Sequence, residues 1–469
     1  MVKNRVRIFG ILIVFLLMII PMTANGWIRT YEIGDLSVGN SIQQTANGGY
    51  IITGCGMYIA AGYSASEADS AGLLLMKTDF EGNILWKKFY GEGDNGIRVL
   101  QTSDGGYIIF SFANISDDMW PVGDIWLLKT DEDGDTLWTR LYKGAASVSG
   151  GWVEQTSDGG YILTCNWNRA YLHLLKTDKD GNTMWSHNYQ WGQTTEIGYC
   201  VRQTADGGYI VATNLGLFRT DENGDSMWLK PLSATIHFVE TTKDSGFILI
   251  SGKHWGGDNS DIWLVKTDKY GDTLWTRTYG GDSADGASCI QQTTDGGYII
   301  VGKTESYGDG SYADVWLLKT DSLGDTLWTR TFGSPWTDEG NCVQQTSDGG
   351  YIITGSGSFY CSEWDFSDLF LIKTDSTGDA GIAEPVPVTH QPDWEIVFSV
   401  GHNVVLRFHD RPQGFHAAVF DASGRKVDEI VSTNQSGSIV WGECYGPGVY
   451  FIQEKTQYHC STRKVVLIQ

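Results

Sequence analysis

Gln291-Gln-Thr-Thr-Asp-Gly-Gly-Tyr-Ile-Ile300, followed by Asp314-Val-Trp-Leu-Leu-Lys-Thr-Asp-Ser-Leu-Gly-Asp-Thr-Leu-Trp-Thr-Arg330, decides the fold, because both strings recur along the chain. The first, as Gln-Thr-x-Asp-Gly-Gly-Tyr or a close variant, occurs seven times, with its aromatic at Tyr50, Tyr107, Tyr161, Tyr209, Phe247, Tyr298 and Tyr351. The aromatics are 57, 54, 48, 38, 51 and 53 residues apart, so a fixed unit carries insertions of variable length. A version of the second string follows every copy, as at Asp124–Arg140 and Asp261–Arg277.

Each unit reads as two hairpins. Asp-Gly-Gly is a turn that needs a positive φ, and it joins two short β-rich runs. Asp-x-x-Gly, as in Asp131–Gly134 and Asp321–Gly324, places Asp at the first position of a type I turn and Gly at the left-handed position after it. Two hairpins make four strands, the content of a β-propeller blade. Six units end in a strand that opens with Trp: Trp86, Trp138, Trp185, Trp228, Trp275 and Trp328. The seventh stops at its Asp375–Asp379 turn without that strand, whereas Gly26-Trp27-Ile-Arg-Thr-Tyr31 near the N-terminus matches Leu274-Trp-Thr-Arg-Thr-Tyr279. The expected fold class is therefore all-β: a seven-bladed β-propeller closed by the N-terminal strand, followed by a small immunoglobulin-like β-sandwich.

The string Asp-x-x-Gly-x-x-x-Trp resembles the tryptophan-docking repeat of quinoprotein-like propellers and outer-membrane-assembly propellers. That resemblance implies that Trp27 and the six tryptophans above pack between neighbouring blades. The metal ligands and adjacent cysteines of the quinoproteins have no counterpart, so no quinone cofactor is carried over. The full unit also looks like repeats of secreted bacterial proteins of undefined activity.

Both flanks of the repeat speak of export. Lys3, Arg5 and Arg7, the apolar run Ile8–Ile20 and small residues to Gly26 form a signal-peptide pattern over 1–26, too short for a spanning helix. Residues 27–381 are the propeller and 382–392 a proline-containing linker; 393–469 alternate as strands. There, Val419-Phe-Asp-Ala-Ser-Gly-Arg-Lys-Val427, Gly448-Val-Tyr-Phe-Ile452 and Lys464-Val-Val-Leu-Ile468 resemble, in order and position, the type A sorting domain of the type IX secretion system. The resemblance implies that secretion machinery as a partner. It also implies release from, or attachment to, the outer-membrane surface of a Gram-negative bacterium.

Composition agrees with this division. The chain has 469 residues, 59 of them Gly, and a formal net charge of -23. By count the propeller carries -24 of it, a surface that repels nucleic acid. A monomer is expected.

Chemistry is harder to find, and no catalytic residue, metal or cofactor is assigned. No Gly-x-Ser-x-Gly, His-Glu-x-x-His, phosphate-loop or dinucleotide motif occurs. The acidic turns at Asp131–Asp135 and Asp178–Asn182 resemble calcium loops. Equivalent turns put Tyr270 or Leu323 where the middle ligand belongs, which favours a turn-forming role. The recurrent bases Lys77, Lys129, Lys176, Arg219, Lys266, Lys319 and Lys373 read as structural ion pairs with a turn Asp. Cys200, Cys289 and Cys342 each lie nine residues before a blade aromatic; Cys289 and Cys342 are expected about a blade spacing apart, too far to bond. Cys444 and Cys460 flank a strand and are the pair open to a disulfide.

Asymmetry points instead to the loops between the second and third strands, which share one face. They carry Trp120, Trp255, Asp258, Tyr307, Asp309, Tyr312, Trp364 and Asp365, aromatics and carboxylates suited to stacking on sugars and bonding hydroxyls. The expected function is a secreted or surface scaffold binding a glycan or protein. The alternative is a polysaccharide-active hydrolase or lyase using carboxylates on that face.

Overall fold

The computed structural model describes residues 26–381 except 32, 34–35, 60–67, 92–94, 114–121, 169, 193–194, 252–259, 309–311, 335 and 358–367. It also describes 394–467 except 397–399, 402–403, 409–414, 422–424, 435, 443–444 and 456–459. The expected signal peptide, except Gly26, and the whole of the linker lie outside the described residues.

Within 26–381 the chain forms antiparallel sheets built of strands consecutive in sequence, the architecture of a β-propeller. Unit 6 shows the pattern: Asp285–Gln292, Tyr298–Thr304, Asp314–Thr320 and Thr326–Phe332, paired in that order. Its third strand is buried along its whole length, because both sheet faces are covered by neighbouring units; hence the continuous apolar run rather than alternation. The fourth strand alternates between exposed and half-buried residues, as Thr-Leu-Trp-Thr-Arg-Thr dictates.

The turns follow their residues. Gly349 takes φ +85° in Asp-Gly-Gly, and a Cβ on the next residue, Gly350, would lie 2.1 Å from the Thr374 carbonyl oxygen. The first glycine answers to conformation, the second to close approach. In Asp-x-x-Gly, the Asp321 carboxylate accepts the amides of Leu323 (2.8 Å) and Asp325 (2.9 Å), so the side chain itself closes the turn. Leu323 at the middle position costs the turn nothing.

Two features depart from a simple chain of four-strand units. Thr136–Gln155 runs on as one 20-residue strand, pairing first with Val122–Thr130 and then with Tyr161–Trp167, so units 2 and 3 merge into a seven-stranded sheet. And the fourth position in the unit 7 sheet is taken by Trp27–Tyr31, paired antiparallel with Asp368–Thr374 from Trp27↔Lys373 to Tyr31↔Leu369.

The C-terminal residues form two further sheets, one of three strands and one of five. In the larger, Gly448–Lys455 lies between Phe415–Asp421 and Cys460–Leu467. Phe408, Phe415, Val419, Trp441, Ile452 and Val465 share one core. Asp421 binds back on Arg425 through both backbone and side chain, closing the Asp-x-x-Gly-Arg turn. Gly437–Trp441 pairs with Val404–Phe408 in the smaller sheet.

Candidate functional site

The groups that recur in every unit must be placed first, because what they leave over is the site. Thr346 Oγ1 donates to Asp348 Oδ1 (2.5 Å), and the same carboxylate pairs with the buried Lys373 (2.8 Å). The equivalent pairs are Lys129–Asp104, Lys176–Asp158, Arg219–Asp206, Lys266–Asp244 and Lys319–Asp295. These contacts pull the Asp carboxyls below their usual range against the opposing effect of burial, Asp158 to about 2. Unit 1 is the exception, with Asn47 in the Asp place and Lys77 bonded to Thr45 Oγ1 (2.5 Å) and Asn47 Oδ1 (3.1 Å).

The recurrent Gln works between units. Gln101 Oε1 accepts the Ala46 amide of the preceding unit (2.9 Å), and Gln345 accepts that of Thr294 (2.8 Å). Gln44 of unit 1 accepts from Ser347 of unit 7 (2.8 Å). The tryptophans lie at the same boundaries: Trp86 sits edge-on to tilted against Tyr107 with centroids 6.2 Å apart, and its ring covers Gly134 of the next turn. Trp27 meets Tyr50 of unit 1 at 6.2 Å.

The innermost strands line the axis with two tiers of side chains, nine and seven residues before each unit's aromatic. The first tier is Ser41, Arg98, Trp152, Cys200, Phe238, Cys289 and Cys342; the second is Gln43, Leu100, Glu154, Arg202, Glu240, Gln291 and Gln344. A register shift falls just before Ser41, Arg98, Cys200, Cys289 and Cys342, an extra residue that re-aims the side chain after it. Gln43, Gln291 and Gln344 accept backbone amides of the next unit at 2.5–2.6 Å.

The remaining members form a charged and aromatic cluster. Arg98 lies over Trp152 at 4.1 Å; Arg202 lies over Trp152 at 4.6 Å and over Phe238 at 5.0 Å. Glu154 pairs with Arg202 at 3.4 Å. Burial raises the carboxyls of both Glu154 and Glu240, Glu240 to about 7, although Arg202 and Arg98 oppose it. Arg98 Nε and Trp152 Nε1 are buried without a hydrogen-bond partner. A cavity of about 90 Å³ lies among Arg98, Arg202, Phe238, Glu240, Cys289 and Cys342.

One expectation is overturned here. Cys289 and Cys342 are not a blade spacing apart: their Sγ atoms are separated by 3.8 Å. Units are wedges, narrowest at the axis, so side chains from successive innermost strands meet there even though the outer strands are far apart. The cluster itself was legible in the repeat columns, which had been read for cysteine alone.

Of the loop residues singled out, Trp120, Trp255, Asp258, Asp309, Trp364 and Asp365 lie outside the described residues, as does the Cys444–Cys460 pairing. Tyr307 and Tyr312 are described, on the loop between the second and third strands of unit 6. Antiparallel pairing puts this loop at the same end as the unit-to-unit connections. Tyr307 is 51% exposed; its ring lies 5.3 Å from Trp316 and its hydroxyl donates to the Gly280 carbonyl (2.5 Å). Tyr312 lies 5.5 Å from Trp336 on the connection to unit 7. The two tyrosines are thus held as an aromatic rim. Nearby carboxylates serve the backbone: Asp285 accepts from Gly281 N (2.9 Å) and Ser306 Oγ (2.7 Å), and Asp338 from Ser334 N (2.6 Å).

No protein-family model matches the chain, and no curated protein matches it. Among solved structures it is similar to a streptogramin B lyase at 11% identity, covering 74% of this chain and 98% of that one, with a TM-score of 0.47. It is similar to YCF48 bound to D1 peptide at 10% identity over 74% and 96%, TM-score 0.44. It is also similar to PorZ, a surface component of the type IX secretion system of Porphyromonas gingivalis, at 7% identity over 92% and 81%, TM-score 0.38. The β-propeller itself is read from this chain's own sheets.

Proposed function

We propose that the chain is an exported, monomeric, seven-bladed propeller that binds a glycan or protein at the rim formed by its inter-strand loops. Residues 27–381 are the propeller, with Trp27, Trp86, Trp138, Trp185, Trp228, Trp275 and Trp328 docking neighbouring blades. The pairing of Trp27–Tyr31 with Asp368–Thr374, together with the Gln44–Ser347 bond, supports closure of the ring by the N-terminal strand. Residues 1–26 direct export, 382–392 link, and 393–469 are the sorting domain read by type IX secretion machinery at a Gram-negative outer membrane.

The observation that carries the binding reading is the half-exposed Tyr307 ring, fixed at one edge by Trp316 and at its hydroxyl by Gly280. An aromatic face immobilised before binding loses little entropy when a sugar ring or an apolar side chain stacks on it. Tyr312 and, by their place in the loop sequences, Trp120, Trp255, Asp258, Asp309, Trp364 and Asp365 are the further ligand-binding residues of this reading. The test is a glycan array and a surface-protein array probed with the purified chain and with Tyr307→Ala. Binding lost in the variant supports the rim; equal binding by both, or none by either, removes it. Among the carboxylates at this end, Asp285 and Asp338 are engaged by backbone amides and Glu339 by Lys303.

A further inference from the structure

We propose that Cys289 and Cys342 are a disulfide-forming pair that joins units 6 and 7 at the axis. Their Sγ atoms lie 3.8 Å apart on neighbouring innermost strands, at equivalent positions after equivalent register shifts. Closing that gap to a bond of about 2.05 Å needs a movement on the scale of a side-chain rotation. Arg98 Nη1 stands 3.8 Å from Cys342 Sγ and sets a fixed positive charge beside one sulfur. In the folded protein the hydrogen bond from Cys289 and this guanidinium both hold the Cys342 thiol below its usual range. Cys200 is an internal contrast. It occupies the same position in unit 4 and its thiol donates to the Val239 carbonyl (3.4 Å), as Cys289 does to that of Val343 (3.7 Å), but its neighbour in unit 5 is Phe238 rather than a second sulfur.

The chemistry is thiol–disulfide exchange with a small-molecule disulfide such as oxidised glutathione. One of the two cysteines, as its thiolate, attacks one donor sulfur, the donor S–S bond breaks, and the second donor sulfur leaves as a thiolate that takes up a proton. The other cysteine loses its proton and attacks the first cysteine's sulfur, and the remaining donor thiolate leaves and is protonated. Two protein thiols are oxidised to one disulfide, and the donor is reduced to two thiols. Both sulfurs are buried in the folded protein, so the exchange takes place during folding, before units 6 and 7 seal.

The inference rests on the export reading for its oxidising surroundings. The full chain is refolded in an oxidising glutathione buffer, free thiols are blocked with N-ethylmaleimide in denaturant, and a non-reducing digest is mapped by mass spectrometry. The Cys289 peptide is expected joined to the Cys342 peptide, and a parallel sample treated with reductant is expected to unfold roughly 3–8 °C lower. The double variant C289A/C342A should lose that difference. Both cysteines carrying N-ethylmaleimide, or either joined to another cysteine, would overturn the proposal. A chain that forms the bond in vitro yet stays in the cytoplasm would sink the export reading alone.

Discussion

Asn47 is a substitution that the repeat has already made, and reversing it tests the ion-pair logic shared by the units. In units 2 to 7 a buried base meets the turn carboxylate at 2.5–3.0 Å. Lys77 is equally buried, 2% exposed, yet it bonds a hydroxyl and an amide oxygen and lies 5.7 Å from the Tyr107 ring centroid, with no carboxylate in the place the other units fill. Burial pushes its amine down from 10.5 to about 8, with distant Glu132 opposing. A fall of that size costs the charged form about 3 kcal/mol in the folded state. The unfolded chain keeps its proton up to the ordinary lysine value while the folded chain releases it earlier. Stability therefore rises as pH climbs from about 8 to about 10.5, and near neutrality the full penalty is present. Asn47→Asp should recover part of it. The partner carboxylates in the other units are 38–69% exposed, so screening cuts the gain to about 1–2 kcal/mol. Urea denaturation followed by tryptophan fluorescence reads it directly. The gain should appear near neutral pH and shrink as pH climbs from about 8 to above 10.5, where lysine is neutral in both states. An unchanged midpoint at neutral pH, or a gain that persists undiminished in alkali, would refute the reasoning.

Three further outcomes follow from other contacts. Glu240→Gln should flatten the stability profile between about pH 4.5 and 7: the folded carboxyl keeps its proton to about 7, so the native chain loses stability across that window as pH rises, up to about 3 kcal/mol before screening; an unaltered slope in urea melts would contradict it. Gln44→Leu removes the acceptor of the Ser347 amide between the first and last units and should cost about 1 kcal/mol, with faster hydrogen exchange at that amide as the specific sign. Trp27→Ala should loosen the Trp27–Tyr31 strand and cost about 3 kcal/mol, read as earlier proteolytic cleavage near unit 7.

The repeat was legible because its chemistry is local. Asp321 closing its own turn, Gly349 at positive φ, and the run Val315–Leu318 buried on both faces each follow from a few neighbouring residues. The merger of units 2 and 3 was less so. No Pro and no Asp-Gly interrupts Thr136–Gln155, but an absent breaker is a weak signal beside seven turns that are present. The role of the recurrent Gln was invisible, since its partner lies one unit back, 55 residues away for Gln101 and Ala46. The separation of the cysteines was misjudged for a related reason: sequence gives the number of units between two residues, not their radius from the axis.

That radius also explains why the axis breaks the repeat. A side chain at the outer edge sees only its own unit and the next, so the same Trp, Lys and Asp serve again and again. At the axis several units share one small space. Identical large cations there would repel and overfill it, and identical small residues would leave a void. The tiers resolve this by mixing sizes and signs: Arg98 and Arg202 against Glu154 and Glu240, Trp152 and Phe238 against Ser41 and the cysteines. Close packing around an axis therefore demands asymmetry there whether or not a ligand exists. The rim is under no such demand, because its loops are free to be alike. Differences among them, with a tyrosine ring held half in solvent at Tyr307, are the asymmetry that packing leaves unexplained and on which the proposed binding function rests.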